Sequence, residues 1–255
     1  MDPERFLKMD PVRLLERIMA HPDPDSLRVG ALQNRLLREY QRGYPIENLL
    51  PLLHSNDERS VNTGMFVASE LGMKGKPLLN DVFPHLKDPD KWIKGMTLDC
   101  ILMWAEPSNK VELGSGVGVL DDAEPANRWS AMNYLALLPR EKLQGALSYW
   151  EATNPTSTHS RGLRWLLSSD ATNPERVIAA LQDKDRIMRM YGVVAAARMS
   201  KHNKELLLYA SRIDDPDVKH FADSEISVLT PTSSETLREQ FRNVMKLKGK
   251  KPGSR

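Results

Sequence analysis

A single cysteine, Cys100, stands among 255 residues. It can form no internal disulfide and supplies at most one thiolate, which excludes both a disulfide framework and a Cys-rich zinc site and favours a reducing compartment. Paired histidines are missing too. The six, at 21, 54, 85, 159, 202 and 220, are scattered singly, and none has the i,i+4 helical spacing that presents two imidazoles to a metal. No metal or cofactor is expected, and His54 and His85, near turns, read as exposed polar residues. No apolar run approaches the length of a membrane span. The start, MDPERFLKMDPVRLLERIM, mixes acids with its bases and has no unbroken apolar core, which argues against a secretory signal. The expected location is cytoplasmic.

Concentrated positive charge is also scarce. The formal net charge is +2, but five bases (Lys246, Lys248, Lys250, Lys251, Arg255) lie in the last ten residues without an acid, so residues 1–245 are slightly acidic. That weighs against a large phosphate-binding surface. Residues 1–245 read as one domain and residues 246–255 as a basic, disordered tail.

What the chain does have is repetition. HLKDPDKWIKG (85–95) has near copies in AHPDPDSLRVG and SRIDDPDVKHF. Asp and Asn accept hydrogen bonds from free amides at a helix start, and Pro fits the first helical turn. In the register of Asp88, capping residues recur as Asp23, Asn56, Asp88, Asp122, Asn154, Asp183 and Asp215, on average 32 residues apart. Each is read as the cap of a helix. Behind each comes an apolar series at helical spacing, such as Ile93, Met96, Cys100, Ile101 and Trp104. Ahead of each lies a second apolar segment, as in IENLLPLL or ERVIAAL. Two helices of about a dozen residues, each about 18 Å long, with short turns fill such a unit and leave no room for a strand. One hairpin cannot bury both apolar stripes, so successive hairpins must stack.

This pattern resembles the HEAT-like repeat family, in its short-unit branch, over about residues 11–230. The marks are an acid followed six positions later by a base: Asp88 with Lys94, Asp122 with Arg128, Asp183 with Arg189. The resemblance implies an all-α, right-handed α-solenoid of about seven hairpins, with these charges laddering between neighbours and a concave face that binds partners. Asn56 with Asn62 and Asp215 with Phe221 break the rule, and the unit around Asn154 fits worst, so distortion is expected there.

Candidate binding residues on the second helices are Arg59, Trp92, Lys94, Arg128, Trp129, Arg161 and Arg189, although ladder pairing competes for Lys94, Arg128 and Arg189. The five tryptophans share no repeat offset, so most should fill the core while one or more anchors a partner. LGSGVGVL (113–120) lacks the strand and the opening helix of a phosphate loop. Its glycines are expected to shorten or distort a helix. No nucleophile stands out: Cys100 lies on an apolar stripe, and the serines lack a nucleophile elbow.

The first expectation is therefore a non-enzymatic scaffold for a partner protein, with a bacterial immunity protein that neutralises a toxin as its narrower form. The alternative is a DNA-binding protein or alkylbase DNA glycosylase of similar fold, for which Asp99, Arg128 and Trp129 would supply acid, base and aromatic. Bilin lyases also use short units of this type, with little support in these residues.

Overall fold

The computed structural model describes residues 11–20, 27–200 and 203–229, and its regular structure there is entirely helical. Helices pair in chain order. α1 (Pro11–Met19) lies on α2 (Leu27–Gln41), and the short α3 (Leu50–Leu53) on α4 (Glu58–Glu70). α5 (Leu79–Val82), set between the 3₁₀ segments Gly72–Leu78 and Phe83–Lys87, packs on α6 (Lys91–Trp104). Next come α7 (Lys110–Gly118) with α8 (Pro125–Leu137), and α9 (Arg140–Thr153) with α10 (Thr158–Leu167). α11 (Pro174–Leu181) with α12 (Arg186–Met199), and α13 (Glu205–Ala210) with α14 (Pro216–Leu229), complete the described series. Among the described residues no helix is long and apolar enough to cross a membrane. Residue Asp23 and the basic tail lie outside the described residues.

In the pairs that begin with α3 and α5 the first element is the less regular one. Pro51, Pro77 and Pro84 remove amide donors there and hold these stretches to single turns and 3₁₀ segments. Their apolar residues still reach the core, as with Leu52, Leu78, Val82 and Leu86. The second elements α2, α4, α6 and α8 are full helices that pack on one another in succession.

Most of the recurring Asp and Asn residues do not cap these helices directly, which corrects the expectation for them. Asp88, Asp122 and Asp183 each accept the backbone N–H two residues on, folding the chain into a tight turn, and the helix begins after Asp90, Glu124 and Asp185. The cap beside Asn56 is Asp57, which accepts from Ser60. Asn154 ends α9, and Ser157 caps α10. Among the described ones Asp215 alone behaves as expected, accepting from the amides of Asp217 and Val218. At Asp88-Pro89-Asp90 the first carboxylate shapes the turn and leaves the second to cap the helix.

The stack changes course after α8, in the region that fits the repeat worst. α8 packs directly on α12 and α14, whereas α10 packs on α9 and α12. α12 is consequently buried almost all round, with Met190 through Ala197 all inside. Gly114, Gly116 and Gly118 lie in α7, which ends at Gly118 and passes into a 3₁₀ turn, and they receive aromatic rings. A Cβ on Gly114 would stand 2.1 Å from the Tyr149 ring, and the Gly116 position faces Tyr134 at 3.0 Å. Gly114 is thus the seat that draws α9 tightly onto α7.

Two helical glycines differ sharply in what a methyl group would meet. On Gly145 it would lie 2.5 Å from the backbone oxygen of Pro107, whereas on Gly95 its nearest neighbour is the Ser130 hydroxyl at 3.7 Å. Gly145→Ala should therefore lose about 1–3 kcal/mol to overpacking. Gly95→Ala should gain about 0.5–1 kcal/mol from helix propensity. Urea midpoints of the two variants check both signs.

Candidate protein-binding face

The charged ladder is present and accounts for several bases. Lys94 Nζ reaches Asp122 Oδ2 of the next unit at 2.5 Å. Arg189 donates from Nε to Asp215 at 2.8 Å while its Nη1 holds the carbonyl of Asp183 in its own turn. Arg161 meets Asp185 at 2.9 Å. Burial works to raise the Asp122 pKa, but the Lys94 hydrogen bond, with help from the Glu124 amide and Asn127, outweighs it and holds the group below the usual carboxylate range.

Arg128 skips two units. Its Nε and Nη2 form a two-pronged pair with Asp217 on α14, both bonds at 2.9 Å, and its Nη1 binds the carbonyls of Asp122 and Ala123. Trp129 donates its indole N–H to the same carboxylate at 3.1 Å and stacks on His220 with ring centres 3.5 Å apart. Arg128 and Asp217 are both buried. The expectation of Arg128 as an exposed binding base is thereby corrected: it is an internal clamp, reaching α14, which packs directly on α8. Lys94 and Arg189 are likewise engaged in the ladder, and the half-buried Trp129 is fixed beside the clamp. Asp99 keeps to the α6 surface, so Arg128 and Trp129 do not join it in an open acid, base and aromatic site.

Two cations missed by the sequence reading hold helix C-termini, where the free carbonyls and the dipole attract positive charge. Lys142 Nζ lies 2.7 Å from the carbonyl of Leu102 at the end of α6, and Arg198 Nη1 bonds the carbonyls of Leu135, Ala136 and Leu138 at the end of α8. His85 and His159 are structural too. His85 Nε2 bonds the Leu53 carbonyl, so it is less exposed than expected, and the buried His159 bridges Asp121 and the Tyr191 hydroxyl.

What remains open is a face built by register. Counting equal offsets from the first residue of α4, α6 and α8 aligns Arg59, Trp92 and Ala126, then Phe66, Asp99 and Asn133, then Glu70, Met103 and Leu137. All nine are exposed or half-exposed, as period-3.6 helices packed side by side require of one shared face. The three helices pack side by side, and the Gly95 position faces Ser130, within one position of this register. Trp92, at 69% exposure, is the most open tryptophan; Trp104 is buried, and Trp129, Trp150 and Trp165 pack against the core. Trp92, Met103 and Leu137 are three of the seven exposed large hydrophobic residues among those described. Beside them Asp99 has its pKa raised by the surrounding protein and by the Glu70 charge.

No family model matches the chain, and neither does any curated protein. Similar solved structures include an engineered protein, 11% identical, covering 86% of this chain and 96% of that one at a TM-score of 0.46. Another is a designed armadillo repeat protein, 12% identical, covering 87% of this chain and all of that one at a TM-score of 0.43. The chain described here is, on its own helix pairing, a stack of helical hairpins with one nine-position face left open.

Proposed function

We propose that this protein is a non-enzymatic, HEAT-like helical-repeat scaffold of about seven hairpins wound into a right-handed superhelix, and that it binds a partner protein on the face of α4, α6 and α8. That face is the concave side in this reading. Its narrower form makes the partner a toxin that the scaffold neutralises, as an immunity protein does. The observation that carries the proposal is the grouping of Trp92, Met103 and Leu137 on one shared face beside Arg59, Glu70 and Asp99. Large apolar anchors rimmed by charges characterise protein-binding patches. The buried Arg128–Asp217 pair argues against a nucleic-acid groove, since it removes the base that such a groove needs most.

A photo-crosslinking residue at position 92 or 133 should trap a partner in a one-to-one complex, and one at Glu141, outside this face, should not. Once the partner is purified, Trp92→Ala should weaken binding at least about tenfold, as loss of an interface anchor does. Crosslinks confined to position 141, or low-salt retardation of alkylated duplex DNA with no protein partner, would overturn the proposal.

A further inference from the structure

The open face is polarised along its helices. Lys91 and Arg59 stand within one position of the helix starts, whereas Asp99 and Glu70 lie in the later turns, where Met103 and Leu137 are also exposed. Both carboxylates are exposed, and neither has a hydrogen-bond donor or a cation beside it among the described residues. The Glu70 charge makes Asp99 costlier to ionise, a cost that a cation placed there relieves. Lys142 and Arg198 lie near this end, but the carbonyls that close α6 and α8 occupy them. The complement of this end is a segment that carries bases among apolar side chains.

The chain itself carries such a segment and sends it out at this end. Lys204, just past α12, places Nζ 3.5 Å from the Leu229 carbonyl at the end of α14. Arg198, in the last turn of α12, bonds the carbonyls of Leu135 and Leu138 at the end of α8. The ends of α8, α12 and α14 therefore lie together, beside Leu137. Past Leu229 the sequence runs TPTSSETLREQFRNVMKLKGKK (230–251). Phe241, Val244 and Leu247 recur there at every third position among Arg242, Lys246 and Lys248, and no acid occurs from 240 to 251. Residues 241–248 lie 12 to 19 positions past Leu229. At a helical rise that is about 18–28 Å, and more if extended. With α8 between them, α14 and α6 stand two interaxial steps of about 8–10 Å apart, so the bases of this segment can reach Asp99.

We propose that residues 241–248 of this chain dock on the end of the face that bears Asp99, Glu70, Met103 and Leu137, and so compete with the partner protein for it. The apolar side chains meet Met103 and Leu137, and Lys246 and Lys248 meet the two carboxylates. This deepens the partner-binding reading and rests on it for the competition. The docking itself is read in the isolated protein with no partner present, so either can fail without the other.

A benzophenone side chain at position 137 of the full purified chain should, on irradiation, join α8 to a tryptic peptide from residues 239–248. One at position 141 should not. A mixture of isotopically light and heavy chains should give no mixed product, because capture occurs within one chain. Lys246→Glu with Lys248→Glu should cut the captured fraction about two- to tenfold, the range that two exposed ion pairs supply. Adding Asp99→Lys with Glu70→Lys should restore it. If that fourfold variant fails to fold, 1 M salt, which shortens the screening length to about 3 Å, should lower capture in the wild-type chain by a similar factor. No capture at position 137, capture only in mixed products, or a captured fraction indifferent to charge reversal and to salt would each overturn the proposal.

Discussion

Arg128→Ala should lose about 3–5 kcal/mol of stability, because it strands the Asp217 carboxylate in a buried site while removing the guanidinium that neutralises it. The loss has several parts. Both bonds to Asp217 go, the carbonyls of Asp122 and Ala123 lose their donor, and the Trp129 indole is left sharing an uncompensated charge. Arg186 offsets only part of the loss, since its nearest nitrogen stands 3.8 Å from Asp217, farther than either Arg128 bond, and its side chain is 44% exposed. The double variant Arg128→Met with Asp217→Leu tests this account. Replacing both charges with apolar groups removes the desolvation cost along with the attraction, so it should recover most of the loss. Arg161→Ala supplies the contrast. Its pair with Asp185 is at the surface, with the arginine side chain 56% exposed, and its removal should cost less than about 1 kcal/mol. Urea unfolding of the four proteins gives the comparison, and Arg128→Ala behaving like Arg161→Ala would rule out the clamp as a structural element.

The clamp also marks the boundary of what the sequence reveals. Helical hairpins were legible because each capping turn and each apolar stripe is local, written within a few residues by amide geometry and the helical period. The ladder was expected from the resemblance to HEAT-like repeats, and Lys94 and Arg189 do meet an acid of the next unit, Arg189 also holding a carbonyl of its own turn. Arg128 follows the same local rule, holding the carbonyls of its own turn, but its acid partner lies 89 residues away. That pairing goes with α8 packing directly on α12 and α14, while α10 packs on α9 and α12 and α9 lies on α7 with Tyr149 over Gly114. No spacing rule carries that information. Placed where an acid ordinarily favours a helix start, Asp217 gave no hint that it faces a neighbour instead.

The candidate face was legible only in part, and for a related reason. Trp92 and Arg59 were identified as surface residues, yet Met103 and Leu137 were not, because an exposed apolar residue at a helix end reads like any other member of the stripe. Equal offsets align them only when the true first residues of α4, α6 and α8 are known. Those lie two or three positions beyond the recurring Asp or Asn.

Trp104→Ala should produce a loss of similar size, about 3–5 kcal/mol, for a different physical cause. The side chain is 1% exposed at the end of α6, and it anchors the irregular Gly72–Leu78 segment, which has no regular helical stripe of its own. The fit depends on what is missing beneath it. A Cβ on Gly75 would stand 2.2 Å from the indole, so Gly75 lets the ring lie flat on the backbone. The indole N–H donates to the Gly72 carbonyl at 2.7 Å, and Gly72 itself has φ +56°, a conformation that glycine adopts without strain. Trp104→Phe keeps the apolar contact but drops the hydrogen bond and part of the ring, and should fall between, at about 1–3 kcal/mol. Gly75→Ala alone should also destabilise, because the ring has no room to retreat. In the Trp104→Phe background the same methyl group enters space that the smaller ring has vacated, so its cost should shrink and the two changes should be non-additive. A thermal or urea double-mutant cycle measures that coupling. Strict additivity would mean that Gly75 and Trp104 do not share the contact on which the attachment of this segment to α6 depends.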